Sequence, residues 1–167
     1  MTPNSLEVRI ATSADRLQLF RMLELYQYDL SDIWDQDLDV HGEFGYELDR
    51  YWSQANCHPF VALIDGHYAG FALVDGSVKV AKTGHWMDQF FVLKKYRRSG
   101  IGKAIAMNTF KALPGYWEVG QMTQNTAAQH FWRTVIAEQT GGAYSEQVLT
   151  TGWWQGVVQC FQTDARA

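Results

Sequence analysis

From Pro59 to Leu93 the hydrophobic period is that of strands. "FVALID", "HYAGFALVD" and "HWMDQFFVL" are apolar runs of strand length, and the first two end in Asp65-Gly66 and Asp75-Gly76. Glycine accepts the positive φ that a tight turn requires, so Asp-Gly between apolar runs predicts neighbouring antiparallel strands. A sheet built from such a meander needs helices or a second sheet to cover its faces.

The flanking segments supply helices. Leu6 to Ala11 predicts a short strand, after which Thr12 or Ser13 caps a helix carrying Leu17, Phe20, Leu23 and Leu25 and ending near Asp29. The segment "SDIWDQDLDVHGEFGYELDRYW" predicts a loop and then a second helix from Glu43 to Trp52. Beyond the meander, Ile101, Ala104, Ile105, Met107, Phe110 and Leu113 form an apolar helical face stopped by Pro114-Gly115. "YWEVGQM" is a further strand, "TAAQHFWRTVIAEQT" a helix ended by Gly141-Gly142, and the remainder a pair of strands turning near Thr151-Gly152. The predicted class is α/β (α+β), a mixed and mostly antiparallel sheet flanked by helices, in the order β-α-α-β-β-β-α-β-α-β-β. With 167 residues, 47% hydrophobic, and no linker-like run, residues 1–167 predict a single domain.

Charge and cysteine content narrow the partners. A formal net charge of −4 and a pI near 5.7 argue against nucleic acid, which needs a broad basic surface. Cys57 and Cys160 lie far apart without metal-ligand spacing, which predicts buried thiols in a reducing compartment and no metal site. The N-terminal "MTPNSLEVRIATSADR" lacks the pattern of a signal peptide. No apolar run reaches the roughly 20 residues that cross a bilayer, so a cytoplasmic protein without membrane contact is expected.

Against that acidic background "KKYRRSGIGKAIA", Lys94 to Ala106, is a basic, glycine-containing turn between a strand and a helix. A helix N-terminus offers unpaired backbone N–H groups and a positive dipole end, which together favour phosphate. Gly100 and Gly102 permit close approach, and Arg97, Arg98 and Lys103 add positive charge. A Walker A loop is excluded because Ala104 stands where Ser or Thr is needed and Arg97 where glycine is needed. A dinucleotide fingerprint is excluded by Ile105 in place of its third glycine.

Arg97-Arg98-Ser99-Gly100-Ile101-Gly102 fits R/Q-x-x-G-x-G/A, and Asn125-x-x-Ala128-x-x-x-Trp132 fits a second signature, N-x-x-A-x-x-x-Y/F, with an indole at its last position. Both, with the element order, resemble the GNAT superfamily of acyl-CoA-dependent N-acetyltransferases. The resemblance implies acetyl-CoA as co-substrate. Its pantetheine arm would lie along Phe90, Phe91 and Val92 with a hydrogen bond to Asn125, and its pyrophosphate in the turn from Arg97 through Ser99, Ile101 and Lys103 to Ala104. It further implies direct attack of a primary amine on the thioester. Family members often carry a tyrosine where this chain has Trp132, whose N–H is a poor acid; Tyr144 is a conceivable substitute proton donor.

For the base, Asp88 ranks first, since it lies in the strand that would bear the thioester, followed by Glu118 and His85. The resemblance also implies that the first helices and the loop between them wall the acceptor site; there Tyr28, Asp29, Asp32 and Trp34 lie in an acidic and aromatic stretch that suits a cationic small-molecule amine or a basic peptide end. Trp153-Trp154 could border the same cavity. A non-catalytic acyl-CoA sensor or an interaction domain of the same fold is the alternative, and an exposed strand in the last hairpin could pair in a homodimer.

Overall fold

The computed structural model describes residues 5–164. Asp65 and Gly66, at φ of 51° and 80°, form the left-handed turn that joins β2 (His58–Ile64) to β3 (His67–Asp75). Asp75-Gly76 makes no second tight turn. Residues 76–84 intervene before β4 (His85–Val92), because the Asp75 carboxylate accepts from the Ser77 N–H and hydroxyl and from Arg50 Nη1 at 2.7 Å, which holds the chain in a loop.

The remaining strands are β1 (Leu6–Ile10), β5 (Gly115–Gln121), β6 (Tyr144–Leu149) and β7 (Gly156–Thr163). They form one seven-stranded sheet in the order β1-β2-β3-β4-β5-β7-β6, antiparallel throughout except between β4 and β5. That parallel pair is short: only His85↔Trp117 and Trp86↔Glu118 are in register, and beyond them the strands part. Between Leu73↔Gln89 and Val74↔Met87 the β3–β4 register skips Asp88, so Asp88 is the extra residue of a β-bulge. Bulges re-aim side chains and recur beside active sites.

Among the described residues four α-helices cover the sheet: α1 (Arg16–Leu30), α2 (Arg50–Ser53), α3 (Ile101–Ala112) and α4 (Thr126–Thr140). Ile105 and Phe110 of α3 and Ile136 of α4 pack on one face with Trp117 and Phe161. Leu19 and Leu23 of α1 pack on the other with Phe71 and Phe91. Each such side chain removed from water contributes about 1.5–3 kcal/mol before the opposing entropy is counted. The helix expected from Glu43 to Trp52 shrinks to α2. Gly45 takes φ of 78°, and the Phe44 and Gly45 N–H groups donate to the Glu24 carboxylate on α1 at 2.9 and 3.0 Å, so this backbone is satisfied by α1 instead of by helical bonds. β6, which pairs with β7 alone, is one edge of the sheet and β1 the other. Among the described residues no helix is long and apolar enough to cross a membrane. The start of the N-terminal segment and the ends of the expected 1–167 domain lie outside the described residues.

Candidate active site

Where β4 and β5 part, a cavity of about 1080 Å³ opens, lined by residues 86–92 of β4 and by Val119, Gly120 and Gln121 of β5. From Met87 onward the β4 edge facing β5 has no strand partner, since β5 pairs only with His85 and Trp86. An extended ligand can take that edge in place of a strand.

The basic turn closes one end. Gly100 has φ of 82° and ends the turn, and α3 begins at Ile101. The first helical bond back into the turn runs from the Ala104 N–H to the Gly100 carbonyl at 3.0 Å. The amides of Gly100 to Lys103 therefore have no acceptor among the described residues, whereas that of Ala104 is satisfied and leaves the expected phosphate set. Phe90, Phe91, Val92, Arg97, Arg98, Gly100, Gly102, Lys103 and Asn125 all line the cavity; Ser99, Ile101 and Ala104 do not. A Cβ at Gly102 would come within 3.2 Å of the Phe131 ring, so glycine here lets α4 pack against the turn.

Two of the expected mobile cations are tied down. Arg97 donates through Nε to the Val92 carbonyl at 2.7 Å and through Nη2 to Asp29 at 2.6 Å, so it braces the turn against β4 and α1. Lys103 pairs with Glu138 of α4 at 3.1 Å. Asn125 is the N-cap of α4, its side-chain oxygen accepting from the Ala128 N–H at 3.2 Å, while its amide nitrogen has no acceptor among the described residues.

At the middle of the cavity stands Asp88, with its side chain 19% exposed. Its Oδ2 accepts from the Tyr46 hydroxyl at 2.5 Å, the Tyr51 hydroxyl at 2.9 Å and Arg50 Nη2 at 2.9 Å, while Oδ1 has no donor among the described residues. Burial first, and the Asp88 charge second, push the Tyr46 and Tyr51 phenols well above their ordinary range, so both remain protonated donors. Trp132, 5% exposed, packs edge-on against Phe90 at 4.8 Å. Trp132 lines the cavity, and its indole N–H has no acceptor among the described residues.

The Acetyltransferase (GNAT) family model matches residues 20–135, more than half of the chain. The chain belongs to the GNAT acetyltransferase family. No curated protein matches it in sequence. Solved structures with the same fold include the aminoglycoside acetyltransferase AAC(6')-Ib in complex with coenzyme A, with a TM-score of 0.68, 15% identity, and 95% of each chain covered. The yncA protein of Salmonella typhimurium with its cofactor acetyl-CoA gives 0.63 at 15% identity over 98% of this chain and 97% of that one. A GNAT acetyltransferase from Streptococcus pneumoniae gives 0.61 at 16% identity over 96% and 100%.

Not every expected residue of this GNAT chain reaches the cavity. Glu118, fully buried, accepts from the Lys79, Val80 and Ala81 N–H groups and from the Tyr116 hydroxyl, and so clamps the 76–84 loop. His85 lies against Trp117 at 5.1 Å, its Nε2 3.3 Å from the Pro114 carbonyl. Neither lines the cavity, so Asp88 alone of the three candidate bases does. Tyr144 sits on β6 outside the lining and is not placed to serve the sulfur. Of the expected acceptor wall, Asp29 and Trp34 line the cavity, but Asp29 is neutralised by Arg97; Tyr28 is 70% exposed and Asp32 points to solvent, both outside the lining.

Sequence reasoning missed Lys79, Trp86 and Gln121, all of which line the cavity, and it left Trp153 and Trp154 undecided. Trp86 precedes Asp88 by two positions in a strand, a same-face spacing that was readable. Gly120 permits this wall: a Cβ there would meet the Trp86 ring at 2.4 Å and that of Trp154 at 2.7 Å. For Lys79 the sequence held no signal, because its position depends on the Glu118 clamp.

Proposed function

We propose that this chain transfers an acetyl group from acetyl-CoA to a primary amine by direct attack within a ternary complex. One observation carries the reading: a carboxylate with a free oxygen, Asp88, stands on an unpaired strand edge that leads to a turn of unpaired amides. The amides of Gly100 to Lys103 suit the diphosphate, and the free edge at Phe90 to Val92 suits the amide-bearing pantetheine arm. Bound acetyl-CoA supplies an activated acyl carbonyl in the form of a thioester. A primary amine, with a pKa of about 10.4 in water, must lose a proton before its lone pair is available.

Asp88 Oδ1 is positioned to take that proton, directly or through water, while Tyr46, Tyr51 and Arg50 hold Oδ2 and fix the carboxylate's direction. A backbone N–H on the free edge of β4 would stabilise the acyl oxygen as it gains charge. The Trp132 N–H can hydrogen-bond the departing sulfur but cannot protonate it; a thiol with a pKa of about 8.5 leaves as thiolate without much help.

Free-thiol release across a panel of amines tests the reading. Asp88→Asn keeps the hydrogen-bond geometry at Oδ2 and should lower turnover by about 10²–10³-fold at neutral pH. Calorimetry should show acetyl-CoA affinity changed less than about 3-fold, because Asp88 lies away from the phosphate turn. Unchanged turnover removes Asp88 as the base. Binding of acetyl-CoA with no thiol release for any amine would favour the sensor reading, to which the indole at position 132 already lends weight.

A further inference from the structure

The charges that line the cavity do not balance evenly along it. Asp29 is paired with Arg97, Asp88 with Arg50, and Lys103 with Glu138. Two lining cations have no carboxylate within ion-pair distance among the described residues, Arg98 and Lys79. They mark opposite ends. Arg98 belongs to the turn beyond Val92, while Lys79 lies over the Trp86 ring, 3.8 Å from its centroid, near the start of β4. At about 3.3 Å per residue, Trp86 and Val92 are roughly 20 Å apart along the strand. The thioester-bearing stretch and Asp88 lie between them. Arg98 therefore serves the phosphate end, and Lys79 serves whatever enters from the other.

The Lys79 ammonium is held in place. The Lys79 backbone N–H donates to Glu118 Oε1 at 2.6 Å, and Nζ donates to the Ser77 carbonyl and hydroxyl. Trp86 lies beneath it and Trp153, 85% exposed, flanks it at 5.1 Å. Burial pulls its pKa below the ordinary lysine value, and the nearby charges of Asp75, Asp88 and Glu118 act in the opposite direction. None of those carboxylates lies within ion-pair distance of it among the described residues: Arg50 bridges Asp75 and Asp88, and Glu118 accepts three backbone amides and a phenol. A positioned, incompletely compensated ammonium in an aromatic wall is a binding group for an anion.

Trp86 and Asp88 are two residues apart on one strand, so an amine nitrogen at Asp88 and an anionic group at Lys79 are spanned by a short carbon chain. Resting on the acetyltransferase reading above, we infer that the acceptor is an amino-acid-like molecule, a primary amine carrying a carboxylate, and that Lys79 binds the carboxylate. The cationic acceptor expected from Asp29 and Asp32 is the competing outcome.

Matched acceptors decide between them: phenylalanine, phenylalaninamide and spermidine, each with acetyl-CoA, and with thiol release as the readout. A charge-assisted hydrogen bond corresponds to a preference for the acid over its amide of at least about 10-fold in kcat/KM. Lys79→Met should bring that ratio to within about 3-fold, chiefly by raising the acid's KM, and Lys79→Arg should restore part of it. Quenching of tryptophan fluorescence by N-acetylphenylalanine, set against its amide, reports the same preference without turnover. Equal response to acid and amide in both assays, preference for spermidine, or a ratio that survives Lys79→Met overturns the inference. Transfer that favours the amide sinks the carboxylate and leaves the acetyltransferase reading standing. Acid-selective quenching that is lost in Lys79→Met, with no transfer to any amine, sinks the acetyltransferase reading and leaves the carboxylate site standing.

Discussion

Asp15, a single buried carboxylate, ties the first strand to the first helix. It accepts from Arg9 Nη1 at 2.7 Å and Nη2 at 2.9 Å, from the Tyr68 hydroxyl at 2.5 Å and from the Thr12 N–H at 2.8 Å. The hydrogen bond from Arg9 holds its pKa well below the usual carboxylate range, against the opposing effect of burial. A depressed folded-state pKa means stability that is present above the unfolded value, about 3.9, and lost as pH falls through the folded one. Asp15→Asn should therefore cost about 2–4 kcal/mol near neutral pH, by leaving Arg9 and two donors poorly matched. In urea titrations the gap between wild type and variant should close progressively as pH falls from about 5 to about 2. A gap of constant size would show that the ion pair is not what Asp15 contributes. The sequence marked Thr12 as a helix cap, and the structure completes a capping box with Asp15 three positions on. Asp29, Glu118 and Lys79 could not be sorted in the same way, because their partners or their positions come from distant segments that only the fold brings together.

At the scale of elements, the strand–turn–helix unit around the basic glycines was legible because glycine and charge punctuate it. Asn125 at the start of α4 was legible for a similar reason, as a side chain that caps. The missing helix before α2 was not, since its amides are claimed by Glu24 from α1. The two glycines of the turn have separable roles. Gly100 needs its φ of 82° and has open space around its Cβ position, so Gly100→Ala meets backbone strain alone, about 1–2 kcal/mol. Gly102 is crowded by Phe131 and sits among the unpaired amides. Gly102→Val pushes that ring and fills the approach to the amides, so coenzyme A affinity should fall at least about 10-fold by calorimetry, since phosphate contacts there are charge-assisted. If Gly102→Val binds coenzyme A like wild type, the phosphate lies elsewhere.

For the molecule as a whole, the alternation of strands and helices gave the elements, but local patterns could not give the β4–β5 pairing or where it breaks off. Parallel pairing is a tertiary event between segments separated by α3, and its two-residue length reflects the bulge at Asp88 and the twist of the sheet. The break opens the cavity and removes hydrogen bonds that a continuous sheet would have. A ligand that binds only the folded state and takes that edge restores part of what the sheet lacks, so it must raise thermal stability by mass action. At about 100 times its dissociation constant acetyl-CoA contributes about 2.7 kcal/mol, and with about 2–4 °C per kcal/mol for a chain of this size the melting temperature should rise by about 5–10 °C. Pantetheine carries the strand-like arm but no diphosphate, so at equal concentration it should move melting by less than about 2 °C, because most of the affinity resides at the amides of Gly100 to Lys103. Equal shifts for the two ligands would relocate the binding energy from the turn to the strand edge, and no shift with acetyl-CoA would mean that the split sheet holds no such ligand.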